Sequence, residues 1–314
     1  MDEAARNRRI ATFSLLAVCV FWGATFTWMK QGTTALQALF PGASQGAIGA
    51  YFLLVRFLMA ALLLPIFVPR SFRRLNALAW KWGFWLSLPF AAGFLLQIIG
   101  LSQTNVPPSQ SAFLTSLFVV ATPLIGSIVT RKLPPRGVML GVPLATIGAA
   151  FIMGPPEGGL SLGAWLTIAA AVLFGGHILV TDAATKRADP MAVTLTMFLY
   201  SIAWMAIALL LSPGGPGLLA PVAVQAAFAD GAFVLTVVLC AVFATAIAIT
   251  VLNRWQKELH PSRAAIIYTA EPVCATAISI AMGLDHVTGW LFFGAGMILL
   301  ANLSAEFVGR RKAA

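Results

Sequence analysis

Charge is scarce in this chain. Aspartate and glutamate number 10 and lysine and arginine 20, so charged residues make up 10% of the 314. Soluble domains carry about 25%. A water-facing surface cannot be made from so few charges, and with 60% hydrophobic residues the chain reads as an all-α membrane protein. Cysteine is scarce as well. Cys19, Cys240 and Cys274 lie far apart in apolar runs, without metal-ligand spacing, which argues against a disulfide framework or a zinc site. There is no HExxH and no phosphate-cradling GxxxxGK[ST] loop. Zinc hydrolysis and on-chain ATP hydrolysis therefore find no support, and no cofactor or metal is expected. No run shows the alternation of a barrel strand, and single strands cannot cross lipid because their backbone groups stay unpaired.

What the sequence has is apolar runs. A helix needs about 20 apolar residues to cross the hydrocarbon. Ten such runs lie at about 11–30, 47–68, 80–101, 109–130, 136–154, 162–182, 190–212, 232–253, 262–282 and 287–307. The first is too long for a cleaved signal and carries Trp22, Phe26, Trp28 and Met29 where small residues would be cut.

The basic residues test this count. The amino-terminal tail, the loops after the second, fourth, sixth and eighth runs, and the carboxyl-terminal tail hold 18 of the 20. Examples are Arg6, Arg73, Arg131, Lys186, Arg254 and Arg310. Of the remaining two, Lys30 is expected in the loop after the first run and Arg56 lies inside the second. Basic residues mark cytoplasmic loops, so both termini are expected in the cytoplasm, the spans are even in number, and the membrane is a bacterial inner membrane. The net charge of +10 is then a topology signal and a contact with anionic lipid, not a nucleic-acid footprint.

The chain also repeats itself at a spacing of 153 residues. Phe21-Trp22-Gly23-Ala24 faces Phe174-Gly175-Gly176-His177, Pro108 to Ala112 matches Pro261 to Ala265, and Gly141 matches Gly294. Gly137 and Gly141 form a GxxxG pair suited to close helix packing. Each half holds five runs, an odd number, so the second half must enter from the opposite side. The expected architecture is ten transmembrane helices as two inverted five-helix repeats: residues 1–153, a Gly/Pro-rich linker at 154–161, and residues 162–314. Secondary transporters commonly bind their substrate between such halves. An integral membrane enzyme or sensor is the alternative, but neither needs the repeat.

Four segments carry a family resemblance. They are FWGATF (Phe21 to Phe26), Arg56-Phe57, GLSQTNVPPSQSAFLTSLFVVATPLIG (Gly100 to Gly126) and PSRAAIIYTAEPV (Pro261 to Val273). Together they resemble the EamA-type branch of the drug/metabolite transporter superfamily, over about residues 11–307. The resemblance implies ten helices as five plus five, a central cavity, and export or exchange of small metabolites, with amino acids or related organic compounds favoured. It departs at the entry to the last run. That entry reads Gly283-Leu284-Asp285, where family members commonly carry a Gly-Glu pair.

Polar residues inside the runs are few. Glu271 lies eight residues after Arg263, about 12 Å along a helix and so near mid-membrane. An acid there is either a proton-exchanging or substrate-binding group or a hydrogen-bond anchor. Pro272 removes a backbone donor beside it and is expected to kink the helix. Arg56 keeps its charge and pairs with a carboxylate or snorkels to the interface; Glu271 is the first partner to test. His177 is a candidate proton shuttle or a hydrogen-bonded packing residue. Gln97, Thr115 and Tyr268 are candidate hydrogen-bond donors to a small-molecule substrate, Tyr268 one turn before Glu271. Trp22 is a candidate stacking surface. Trp80, Trp82 and Trp85 read as an interfacial belt. A second copy of the chain is a further candidate partner.

Overall fold

The computed structural model describes residues 3–103, 106–134, 136–152, 161–255, 258–259, 267–286 and 288–307. Among them all regular structure is helical, as a chain with few polar groups must be if lipid surrounds it. The helices are α1 Glu3–Leu39, α2 Gln45–Phe67, α3 Arg70–Arg73, α4 Ala77–Ser102, α5 Pro108–Thr115, α6 Phe118–Thr130, α7 Arg136–Ile152, α8 Leu162–Thr185, α9 Pro190–Leu211, α10 Pro221–Ala229, α11 Gly231–Ala241, α12 Ala248–Trp255, α13 Ala270–Ala281 and α14 Gly289–Phe307. Short polar residues start several of them. Ser44 accepts from the Ala47 amide, Asn76 from Ala79, Ser161 from Ala164, and Asp230 from Phe233, each satisfying an orphan N–H of the first turn.

Seven helical stretches are long and apolar enough to cross a membrane: Arg6–Leu39, Gln45–Phe67, Ala77–Ser102, Pro108–Thr130, Leu162–Thr185, Pro190–Leu211 and Gly231–Leu252. Three shorter apolar helices, Arg136–Ile152, Ala270–Ala281 and Gly289–Ser304, accompany them. Each of the ten apolar runs thus contains helix. The expected linker at 154–161 lies outside the described residues apart from Ser161.

Three boundaries differ from the sequence reading. The first helix runs on to Leu39, so Lys30 is inside it and not in a loop. Its ammonium donates to the carbonyls of Leu101 (2.7 Å), Gln103 (2.6 Å) and Val106 (3.3 Å). Those carbonyls close the C-terminal end of α4, where a cation is favoured. The fourth run is interrupted at Ser116–Leu117, dividing it into α5 and α6. The eighth holds a π-helical turn, Val242–Ile247, between α11 and α12.

The packing is pairwise. α7 lies on α14, α4 on α8 and α9, α2 on α9, α1 on α11 and α13, α6 on α8, and α5 on α13. The largest core joins α1, α2, α4, α9 and α11 around Phe52, Phe57, Phe198 and Phe233. On the basic, loop-bearing side Arg74 and Asp189 pair at 2.5 Å. Burial alone would raise the Asp189 carboxyl, but the Arg74 hydrogen bond and the amides of Ala192 and Met191 outweigh it and hold the group below its ordinary value. The stability this adds is present at neutral pH and fades as the pH falls through the carboxylate range. With Arg74 largely exposed, it is at most about 1 kcal/mol. Arg187 stands over the Trp82 ring at 5.3 Å, while Trp80 and Trp85 are exposed.

Small residues set the closest approaches. A Cβ on Gly294 would lie 2.6 Å from the Gly148 carbonyl oxygen, and one on Gly148 would lie 2.8 Å from that of Gly294. Gly137 and Gly141 are buried in α7, and Ser304 donates to the Gly137 carbonyl at 3.3 Å. At the other end of the same helix pair the rings of Phe151 and Trp290 stand 5.2 Å apart. Gly294→Ala is expected to push α7 and α14 apart at a cost of about 1–3 kcal/mol. A lowered melting temperature in detergent, compared with Gly296→Ala, checks this, since a Cβ at Gly296 meets nothing within 4 Å.

Candidate functional site

The first group of candidate residues gathers where α1 meets α13. The two helices touch because Gly23 has no side chain. A Cβ there would lie 2.7 Å from the Ala275 amide nitrogen and 2.9 Å from the Glu271 carbonyl oxygen. Around this contact stand Trp22, Tyr268 and Glu271. The Trp22 and Tyr268 rings are 6.1 Å apart, and Cys19 donates to the Ile267 carbonyl at 3.4 Å. Glu271 is half-buried. Among the described residues no group hydrogen-bonds or ion-pairs with its carboxylate. The Tyr268 hydroxyl is buried without a partner among them as well. Pro272 lies in the first turn of α13, where a missing N–H is tolerated, and the helix is interrupted just before, at Thr269.

Arg56 forms the second group. It does not snorkel: it is 3% exposed. Its Nε and Nη2 donate to Thr245 Oγ1 at 3.3 and 3.2 Å, and its Nη1 to Met29 Sδ at 3.4 Å. The guanidinium stands 5.0 Å from the Phe94 ring centroid. Every one of these partners is neutral, and donors of the guanidinium fork remain unused. The expected pairing with Glu271 is not formed, and among the described residues no carboxylate pairs with Arg56. The two residues belong to different helix pairs, Arg56 facing α1, α4 and the π turn, Glu271 facing α1 alone.

The π turn connects the groups. Trp22 Nε1 donates to the Ala244 carbonyl at 3.0 Å, and the next residue, Thr245, receives Arg56. Thr245 in turn donates to the Cys240 carbonyl five residues back, at 2.9 Å. An inserted π turn redirects neighbouring carbonyls and side chains, and such turns recur at functional sites.

Two expected donors face each other. Gln97 Nε2 donates to Thr115 Oγ1 at 3.0 Å, both residues being buried. Thr115 ends α5 at the break in the fourth run. Gln97 is one turn along α4 from Phe94, so this pair borders the Arg56 group. His177 stands apart. Its Nδ1 donates to the Leu86 carbonyl at 3.3 Å, and its ring is 5.2 Å from Phe90, in the packing of α8 on α4.

Sequence reasoning missed four contributors. Thr245, Ala244 and Phe94 carry no motif, and nothing in an apolar run announces a π turn. Phe94 had one available signal, its position one turn before Gln97. Asp285 was noted only as a departure from the family pattern. It is buried, accepting the Ser109 amide at 3.2 Å and the His286 amide at 2.9 Å, and so caps the start of α5.

Comparison with known proteins gives three findings. The model of the EamA-like transporter family matches residues 161–304. A protein of Archaeoglobus fulgidus named as an uncharacterized transporter is 31% identical over 301 residues, covering 94% of this chain and 85% of that protein. A crystal structure described only as that of a protein superposes with a TM-score of 0.58 at 15% identity, over 98% of this chain and 99% of the other. At that identity it speaks to the fold alone.

Proposed function

The chain belongs to the EamA-like transporter family and is a membrane transporter, and on that premise we propose that it is a secondary carrier exporting amino acids or related zwitterions by alternating access. In this reading ten helices cross a bacterial inner membrane with both termini in the cytoplasm, as two inverted halves that rock against each other.

Contacts repeated between the halves support the inverted repeat. Moving Ser304 back and Gly137 forward by 153 residues gives Phe151 and Trp290, which are also in contact. Gly23 abuts Cys274 and Ala275, and Gly175 abuts their counterparts Ala121 and Thr122. These are the contacts expected of two copies of one fold related by a two-fold axis.

The single observation that carries the substrate reading is Arg56, a buried guanidinium with only neutral partners. A charge that is costly in this setting is a natural receptor for a substrate carboxylate, which it can grip with two parallel bonds. Glu271, between Trp22 and Tyr268, supplies the opposite charge and aromatic faces for an ammonium group. Gln97 and Thr115 add neutral hydrogen bonds beside Arg56. His177 stays in the reading only as a lining residue.

A melting-temperature screen of the purified protein tests the substrate class. A ligand at 100 times its dissociation constant stabilises by about 2.7 kcal/mol. Shifts are expected from amino acids, smaller ones from their amides and decarboxylated amines. Shifts confined to sugars or nucleosides would reject the zwitterion reading.

A further inference from the structure

The outer parts of α1, α5 and α13 enclose hydroxyls that the binding site does not use. Thr27, Ser109 and Ser279 are fully buried, and among the described residues none of their hydroxyl oxygens has a hydrogen-bond partner. Buried polar groups in native structures are nearly always paired, with protein or with ordered water, so three orphans in one region point to something they serve.

Helix register brings them together. α1 and α13 run side by side in the same sense: Cys19 meets Ile267, Gly23 meets Glu271 and Ala275, and Phe26 packs on Ala275. Four residues further along each helix come Thr27 and Ser279, one turn beyond the Gly23–Ala275 contact. α5 runs the opposite way. Its Ala112 packs with Phe26 and Ala275, and its Ser109 amide bonds Asp285, past the end of α13. Ser109 therefore lies between the Ala112 level and Asp285, at the level of Thr27 and Ser279. The three hydroxyls occupy the seam between Glu271, near mid-membrane, and Asp285 at the outer end.

We propose that Thr27, Ser109 and Ser279, with water bound between them, form a proton path from the extracytoplasmic face at Asp285 to Glu271. The inference rests on the reading of Glu271 as a proton-exchanging carboxyl. Hydroxyls suit such a path because each both donates and accepts and can rotate, and buried waters make about three hydrogen bonds to groups of this kind. One proton enters at the outer end, each hydroxyl or water takes one and gives one, and the Glu271 carboxylate ends as a neutral acid. Only O–H bonds form and break. At the inner end Cys19, Tyr268 and Cys274 face Glu271. At the outer end Lys30, held by the carbonyls of Leu101, Gln103 and Val106, and His286 are the charged or titratable neighbours.

The test follows the Glu271 carboxyl band by time-resolved infrared difference spectroscopy in right-side-out vesicles after an external pH step, with Glu271→Gln assigning the band. The Thr27→Val/Ser279→Ala double variant is expected to slow protonation by about tenfold, the scale of one lost hydrogen bond in the path. Ser279→Thr, which keeps a hydroxyl, is expected to retain the wild-type rate and guards against a mere folding defect. An unchanged rate in the double variant, or a Glu271 band that answers only to internal pH, overturns the path. The readout needs no solute, so its failure is separable from failure of the carrier reading.

Discussion

Replacing Arg56 with methionine is expected to raise the melting temperature while removing affinity for carboxylate-bearing solutes. The two effects have one cause. A guanidinium buried among Thr245, Met29 and Phe94 has given up water without gaining a counter-charge. In a membrane setting that costs about 2.5–3.5 kcal/mol on insertion scales. Methionine fills much of the same volume without the charge, and exchanging a buried charge for a well-packed apolar residue is often neutral or stabilising. The lost interaction is the one made to substrate. A hydrogen bond to a charged group contributes about 1.5–3 kcal/mol, so binding is expected to weaken about tenfold to a hundredfold. Arg56→Lys keeps the charge but not the planar fork and is expected to fall between. Melting curves with and without ligand measure both effects. If Arg56→Lys and Arg56→Gln both kept wild-type affinity for an acidic solute, carboxylate recognition by Arg56 would be abandoned.

The second large effect is expected at Glu271. Glu271→Gln should fold with an unchanged melting temperature, because among the described residues no hydrogen bond depends on its carboxylate. Transport in that variant is expected to drop about tenfold or more, on the scale of removing one positioned proton-transfer group. What remains should lose its dependence on pH, since glutamine cannot exchange a proton. The comparison is initial flux across a pH series for wild type and variant. Full activity with the wild-type pH profile would reject a coupling role and leave Glu271 as a structural anchor.

The helical character was legible because it rests on composition and run length, and each apolar run does contain helix. Ends were less legible. The segment Gln31–Leu39 continues α1 because no turn residue interrupts it before Pro41 and Gly42, yet the lone charge of Lys30 suggested a loop. That charge is tolerated because three carbonyls at the end of α4 receive it. Within the site, Trp22, Tyr268 and Glu271 could be anticipated as neighbours from helical spacing and the Gly23 position. The separation of Arg56 from Glu271 could not, since it depends on which helices pack together. The π turn escaped notice for a different reason: the ladder shift at Thr245 is a backbone choice made by packing, and Val242 to Ile247 reads as ordinary apolar helix. Asp285 shows the limit of family pattern. Its displaced carboxylate still finds an amide, that of Ser109, because the N-terminal turn of α5 lies beside it.

Counterflow in proteoliposomes tests the central claim most directly. Vesicles are loaded with an unlabelled amino acid that shifts the melting temperature, and uptake of the labelled form is followed without any ion gradient. An alternating-access carrier is expected to take up label faster when loaded and to accumulate it transiently above the external level. Uptake indifferent to internal solute, or no flux of any solute that binds, would contradict the account.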